Sequence, residues 1–273
     1  MTYSPSSHLC ANAYFRNFRK PDWARDFLSL AKELARNLGV NFNYFSIFVE
    51  EKNQLLHSDQ LYSFSGKNQE KLQRMLDNGV EFSGIDLYYS RDRDVVHHGI
   101  LHAMITNEKF GKPYLQMYVQ FQALLKPAHE HFTFMSHFFD TAENFLDIDY
   151  AFFTYMSPEK CPGFYFHDIC VSSLEDREKQ NLAQWISNQE FYPGRLRDFF
   201  EGNLFSKTHF DMLRVNGTDL SLYLNELDEN SIRGLQNGKI FVDLVTEQEG
   251  KPELIKILTT LLIKPTGKEL FFP

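Results

Sequence analysis

Apolar residues recur at helical spacing in two stretches of the chain, and a run of strand-forming residues follows each stretch directly. The first stretch predicts a helix over residues 23–38 and a strand over residues 41–50, and the second predicts a helix over residues 132–146 and a strand over residues 149–156. The apolar positions match in order: Phe27, Leu30, Ala31, Leu34 and Leu38 in the first helix, and Met135, Phe138, Phe139, Ala142 and Leu146 in the second. An ordered match of this kind indicates a tandem duplication rather than chance similarity between two amphipathic helices.

A second shared feature is a segment that begins with Gly-Lys-Pro in each half of the chain. Residues 111–127 read GKPYLQMYVQFQALLKP, and residues 250–265 read GKPELIKILTTLLIKP. With the helix and strand match, this repeat predicts an α+β fold of two pseudo-repeated halves, each a helix, a strand and a helix followed by antiparallel strands. We expect the halves to span residues 1–126 and 127–273, with an insertion near residues 192–232 in the second half.

The rest of the chain supplies the other elements of each predicted half. Residues 2–12 are rich in Ser, Pro and Asn and are predicted to form an irregular lead-in. Later elements of the first half are a helix over residues 68–77 and an antiparallel meander of strands over residues 81–90, 95–106 and 113–125. Those predicted in the second half are a strand over residues 164–171, a helix over residues 174–188, a strand over residues 239–246 and a helically spaced segment over residues 252–263.

The net charge of the chain indicates which class of molecule it can bind. The chain has 28 Lys and Arg against 36 Asp and Glu, which gives a formal net charge of −8. Nucleic acid is a poor partner because its binding requires clustered cations, and the sequence concentrates them nowhere. A basic protein is the better expectation.

Cysteine usage and the N-terminal segment bear on the compartment. Three cysteines, Cys10, Cys161 and Cys170, form no even-numbered disulfide framework, which is typical of a reducing cytoplasm. The sequence MTYSPSSHLCANAYF has no charged region followed by an apolar core, and no apolar run approaches the length of a membrane span. We therefore expect a cytoplasmic protein that binds no membrane.

Histidines provide the only candidate metal site in the sequence. They cluster as His97, His98 and His102, and again as His129, His131 and His137. On a strand, His97 and His98 point to opposite faces, so at most a pair is preset locally. No HExxH motif or carboxylate at ligand spacing accompanies them. We therefore predict no metal and no cofactor, and a histidine-dependent hydrolase stays an alternative.

Nucleophilic and phosphate-binding motifs are equally incomplete. Residues 166–170 read FHDIC, which places Cys170 next to His167 and Asp168, but three neighbours on one strand cannot converge on a substrate. A buried structural thiol is the preferred interpretation. The Gly-Lys pairs lack the other glycines of a phosphate-binding loop. We predict no catalytic residues.

An acidic and aromatic turn is the candidate surface for a protein partner. It follows the predicted strand over residues 81–90 and reads DLYYSRDRD. Exposed aromatic side chains beside carboxylates are typical of protein-binding patches. Because neighbouring side chains of a strand point to opposite faces, only one of its two tyrosines can face a partner. The predicted partner-binding residues are Asp86, Tyr88, Tyr89, Asp92 and Asp94.

Residues 192–226 carry a resemblance to a known group of proteins. The pattern includes Arg197, Asp198, Asn203, Leu204, Ser206 and His209. This segment resembles the C-terminal part of bacterial immunity proteins, which are encoded beside type VI or polymorphic interbacterial toxins. The resemblance implies inhibition of a cognate toxin by binding rather than catalysis. The alternatives are a hydrolase or nuclease-like enzyme and a phage-defence accessory protein. Elemental analysis, together with whether the histidines meet in space, would test the enzyme, and genomic neighbourhood would separate the accessory protein from an immunity protein.

Overall fold

The structure is a computed structural model that describes most of the chain up to residue 243. The described residues are 8–49, 55–58, 60–91, 93, 100–107, 113–120, 128–157, 160, 173–187, 200–212, 214–215, 218–224 and 232–243. The predicted strand over residues 164–171 and the helically spaced segment over residues 252–263 lie outside them.

The described chain combines helices with a ten-stranded antiparallel sheet, so the fold class is α+β as predicted. The helices are α1 (Trp23–Asn37), α2 (Gly66–Asp77), α3 (Ala128–Ala142), α4 (Asp176–Ser187), α5 (Lys207–Met212) and α6 (Leu220–Leu224). The strands are β1 (His8–Phe18), β2 (Tyr44–Val49), β3 (Tyr62–Ser63), β4 (Phe82–Tyr89), β5 (Leu101–Thr106), β6 (Tyr114–Gln120), β7 (Leu146–Met156), β8 (Gly202–Phe205), β9 (Arg214–Val215), β10 (Thr218–Asp219), β11 (Ile232–Gly234) and β12 (Ile240–Asp243). A short 3₁₀ turn covers Gln236–Gly238.

Ten of these strands form one antiparallel sheet that both halves of the chain share. Its order is β11-β12-β8-β7-β1-β6-β5-β4-β2-β3, and β9 pairs only with β10. The run β4-β5-β6 is the predicted meander. The segment near residues 192–232 contributes β8, which pairs with β7 and β12 inside this sheet.

The sheet separates two hydrophobic clusters, because side chains alternate between its faces. Its first face carries Leu9, Ala11 and Ala13 on β1 and packs against residues of α1, α2 and α3. Its second face carries Cys10 and Tyr14 on β1 and packs against residues of α4 and α6. The described architecture is therefore three layers, with helices on both sides of one sheet.

Strand β1 corrects the predicted lead-in over residues 2–12. It lies between β6 and β7, near the middle of the sheet, and pairs with both. The misleading features were its Asn and Ala residues, which have low strand propensity. The period-2 pattern was nevertheless present, since Leu9, Ala11, Ala13 and Phe15 all face the first cluster.

The helix and strand pairs of the two halves occupy comparable places in the fold. Helix α1 precedes β2 and α3 precedes β7, and the two helices contact one another on the first face. The matched residues Phe27 and Met135 are both buried there. Gly39 has a φ of 68°, the left-handed conformation predicted for the residue that ends the first helix. The duplication itself, and the boundary at residue 126, stay predictions.

A buried charge cluster ties the C-terminal hairpin β11–β12 to α3 and β1. Lys239 lies 2.5 Å from Glu143 Oε1 and also donates to the carbonyl oxygen of Ile148. The other carboxylate oxygen of Glu143 accepts hydrogen bonds from Arg19 and Asn237. Burial raises the pKa of Glu143 above its ordinary value, although these partners pull it down. The cluster therefore joins segments that are far apart in sequence.

Within the described residues, no helix is long and apolar enough to cross a membrane.

Candidate functional site

The second face of the sheet carries a polar ribbon, the strongest concentration of titratable and amide side chains in the described interior. Strand register places Asn12 opposite Gln116, and Asp86 opposite Ser46 in the same row. The next row contains, in order across the sheet, Cys10, Tyr118, His102, Tyr88 and Tyr44. Five neighbouring strands therefore place these side chains on one face.

Asp86 lies at the centre of the hydrogen bonds in this ribbon. The Tyr88 hydroxyl donates to Asp86 Oδ2 at 2.9 Å, and the Ser46 hydroxyl lies 3.4 Å from the same oxygen. His102 Nε2 lies 3.6 Å from Asp86 Oδ1, which is longer than a hydrogen bond. The imidazole instead stacks on the Tyr88 ring at 4.6 Å and lies 4.7 Å from the Tyr118 ring.

Burial keeps the phenol and thiol groups of this ribbon protonated. It raises the pKa of the Tyr88 and Tyr118 hydroxyls, and the negative charge of Asp86 raises both further. Burial also raises the pKa of the Cys10 thiol, with a smaller effect from Glu201. Since a thiolate is the reactive form of cysteine, Cys10 is an inert thiol in this environment.

Two amides of the ribbon are buried without hydrogen bonds. Asn12 and Gln116 are fully buried, and neither side chain has a hydrogen-bond partner among the described residues. Each unsatisfied polar group costs about 1–3 kcal/mol. A sequence signal for this face exists, because His8, Cys10 and Asn12 fall on one side of a period-2 pattern, but the Ser, Pro and Asn content of residues 2–12 predicts an irregular segment.

A carboxylate beside an imidazole and a phenol can perform acid–base chemistry when a substrate reaches it. Asp86, Tyr88 and His102 are 5%, 2% and 4% exposed, respectively. In this conformation the three side chains are interior groups. Their arrangement holds β4 and β5 together and offers no open catalytic cleft.

The predicted partner-binding residues separate into three groups. Asp86 and Tyr88 are buried on the second face of the sheet, because β4 is paired on both sides and covered there. Tyr89 is half-buried and packs at the edge of the first cluster. Asp92 and Asp94 lie outside the described residues. The opposite directions expected of the two tyrosines are present, and the partner-binding role stays a prediction.

The candidate histidines that the structure describes lie in separate environments. His102 belongs to the polar ribbon, His131 Nδ1 lies 2.7 Å from the Tyr155 hydroxyl, and exposed His137 lies 3.3 Å from Glu33. His97, His98 and the side chain of His129 lie outside the described residues. Among the side chains that are described, no three of His, Cys, Asp and Glu are grouped so as to hold a metal ion.

The part of the resemblance motif from Asn203 to His209 builds a strand, a turn and a helix start. The Asn203 side chain accepts from the Phe200 backbone amide at 3.2 Å and donates to the Phe200 carbonyl at 2.7 Å. Leu204 lies in the first cluster. These residues fix β8 and the segment before it, whereas Arg197 and Asp198 lie outside the described residues.

Ser206 and His209 close the first turn of α5. The Ser206 backbone amide donates to His209 Nδ1 at 3.0 Å, and the Ser206 hydroxyl lies 2.8 Å from the same nitrogen. The bond from the Ser206 amide is one half of a capping box, with histidine in the acidic position, and the His209 backbone amide donates to the Ser206 carbonyl. Asp149 lies 3.5 Å from the Ser206 hydroxyl and 2.5 Å from Arg16. Because Asp149 contacts the serine and not the imidazole, the set does not have the order of a catalytic triad.

The remaining candidate nucleophile, Cys170 in FHDIC, lies outside the described residues together with Cys161.

Comparison with known proteins gives a likeness of fold alone. No family model matches the chain, and no curated protein matches its sequence. Among solved structures, the fold is similar to that of the Pseudomonas aeruginosa T6SS protein PA0821, with a TM-score of 0.55 and 13% sequence identity. The likeness covers 87% of this chain and 65% of that one, so this chain matches less than two thirds of the length of the T6SS protein.

Proposed function

We propose that this chain is an immunity-type protein that neutralises a cognate bacterial toxin by direct contact. The observation that carries the proposal is the fold that the chain shares, over 87% of its length, with a protein of the T6SS. The resemblance of residues 192–226 to immunity proteins of type VI or polymorphic toxin systems points to the same biological setting. The two observations are independent, because one concerns the fold of the chain and the other a short sequence pattern.

The use of the motif residues supports inhibition by binding. Asn203, Ser206 and His209 are buried and hold a strand and a helix start in place. Residues that hold the backbone in this way fit a protein that acts by binding.

The charge of the chain supports a basic partner. A net charge of −8 accelerates association with a positively charged toxin and disfavours acidic partners such as nucleic acid. We keep Tyr89, Asp92 and Asp94 as proposed contact residues, with the tyrosine as an aromatic anchor. Asp86 and Tyr88 belong to the same proposed site, and both are buried in this structure.

Growth protection is the direct test. Each effector-like protein encoded beside this chain is expressed in a bacterial host, alone and together with the chain. We expect one of them to arrest growth when alone and to be harmless with the chain, and the purified pair to form a stable complex by size-exclusion chromatography. If no neighbouring protein is toxic, or if the chain protects from none and binds none, the proposal is wrong.

We also propose that the two halves arose by tandem duplication. The shared helix and strand order, the contact between α1 and α3 and the burial of matched residues such as Phe27 and Met135 support it. The strand order supports it too. In the sheet, β4 lies next to β2 on the side toward β11, and β8 lies next to β7 on that same side.

A further inference from the structure

A cleft lies at one end of the sheet, away from the polar ribbon. Its walls are the connection between β1 and α1, residues 18–25, and the end of α2 with the start of β4, residues 76–82. Its volume is about 590 Å³. That is large enough to take one or two side chains of a bound protein.

The inner surface of the cleft is apolar and held in one shape. Trp23 and Phe82 are buried beneath it, and Phe18, Leu76 and Val80 are half-buried around it. The rings of Phe18 and Trp23 stack at 4.3 Å with an interplanar angle of 14°. A preformed apolar surface of this kind loses little conformational entropy when it binds a partner.

The cations around the cleft are already neutralised. Arg19 pairs with Glu143 and Asp147, each at 3.2 Å, and these carboxylates lie at the end of α3 and the start of β7. Lys20 lies 3.2 Å from Asp26.

The third cation, Arg25, lies 2.7 Å from Asp77. Its hydrogen bond, together with one from Gln73, lowers the pKa of Asp77, so this pair stays charged well into the acidic range. The lining cations therefore leave little positive charge for an anionic ligand.

Two carboxylates that line the cleft lack such ion-pair partners among the described residues. Asp22 and Glu81 are exposed, one on each wall of the cleft. Across the described part of the chain, neither side chain forms an ion pair or a hydrogen bond, and Asp22 makes no capping bond to α1. The cleft therefore combines an apolar surface with two carboxylates that have no partner.

We infer that this cleft binds a lysine or arginine side chain, flanked by an apolar residue, on the surface of the partner toxin. This inference rests on the proposed function and adds a surface and a partner chemistry to it. The alkyl stem of such a cation would pack on the apolar surface while its charge meets Asp22 and Glu81. Close charge pairs across an interface fix its register and strengthen the complex when desolvated.

Another acidic surface offers a useful contrast. Glu175 and Asp176 at the start of α4 are exposed, but they lie 3.7 Å from Lys160 and 3.8 Å from Lys179, respectively. Neither residue lines the cleft. The double substitution Glu175→Gln/Asp176→Asn is therefore a control with the same loss of two charges.

The test compares Asp22→Asn/Glu81→Gln with that control and with the wild-type chain. The probe is the purified toxin encoded beside this chain, carrying a substitution that abolishes its toxicity. We expect the cleft variant to bind about tenfold or more weakly at low salt, with the difference shrinking as salt rises. The control is expected to change the dissociation constant less than threefold. Equal melting temperatures will show that all three proteins are folded.

Hydrogen exchange gives a second measurement on the same complex. We expect slower exchange of backbone amides in residues 18–25 and 76–82 when the toxin is bound. If the wild-type chain protects cells from the toxin and the cleft variant binds the toxin as tightly as the wild-type chain does, the inference about the cleft is wrong and the proposed function stands. A wild-type chain that binds no toxin overturns both. If the cleft variant instead abolishes self-association of the free chain, the occupant is a second copy and the inference is wrong.

Discussion

Removing the amine of Lys239 should destabilise the protein strongly, because it leaves a carboxylate buried beside it. In the substitution Lys239→Met most of the alkyl stem is kept, whereas the charge and the hydrogen bond to the Ile148 carbonyl are lost. The side chains of Lys239 and Glu143 are 8% and 0% exposed, and their atoms lie 2.5 Å apart. Removing one member of a buried ion pair typically costs about 3–5 kcal/mol. We expect about 3 kcal/mol, the lower end, because Arg19 and Asn237 still donate to Glu143.

The assay is equilibrium unfolding in urea at neutral pH, with the free energy of unfolding compared between variant and wild type. The surface variant Lys207→Met is the control. Its partner Asp211 also lies 2.5 Å away, but the two side chains are 84% and 59% exposed, so we expect a loss below about 1 kcal/mol. The double variant Lys239→Met/Glu143→Leu should recover part of the loss, because no charge is then left buried. A Lys239→Met protein within about 1 kcal/mol of wild type at neutral pH would refute the reasoning.

The same variant should depend on pH in a defined direction. Burial raises the pKa of Glu143 above 4.5, and loss of the ammonium group will raise it further. A raised pKa means that the folded state takes up a proton before the unfolded state does. The cost of Lys239→Met is therefore complete above the folded-state pKa and shrinks as pH falls toward 4.5. The measurement is the same unfolding experiment repeated across that interval.

Four further substitutions test the packing. Phe27→Ala and Met135→Ala should each lower the free energy of unfolding by about 2–5 kcal/mol, since both side chains are buried in the same cluster, and urea unfolding measures it. Ser206→Ala should cost about 1–2 kcal/mol, and most of this cost should vanish in a His209→Ala background, as a double-mutant cycle would show. Gly202→Ala should reduce the melting temperature, because a Cβ there would overlap a phenylalanine ring of β7, whereas a variant as stable as wild type would contradict that contact.

The helices and the meander were predictable because their signals are local. Helix α1 shows a continuous apolar stripe and a left-handed glycine after it, and charged stretches of sequence separate the strand-forming residues of β4, β5 and β6. Strand β1 was missed because its composition outweighed its alternation. Its place between β6 and β7 comes from pairing with residues more than a hundred positions away, which no local pattern encodes.

The candidate site could be predicted only in part, for a related reason. Alternation on β4 correctly separates Tyr88 from Tyr89, but it does not say which face of the strand is covered. The pairing of β4 with both β2 and β5, and the polar row formed with His102 and Tyr118, decide that Tyr88 is interior. The acidic and aromatic composition of residues 86–94 predicts an exposed surface, but Asp86 and Tyr88 are buried in the interior.

The cleft shows that the charge composition of a sequence does not give the positions of its unpaired charges. A net charge of −8 predicts an acidic protein but not where its free carboxylates lie. Many carboxylates, such as Asp77 and Glu143, are committed to cations of the same chain and contribute little to a partner. Asp22 and Glu81 differ because neither side chain has an ion-pair partner among the described residues, and both line a cleft with an apolar inner surface. Recognition of a basic toxin therefore depends on the few charges that folding leaves unpaired rather than on the net charge.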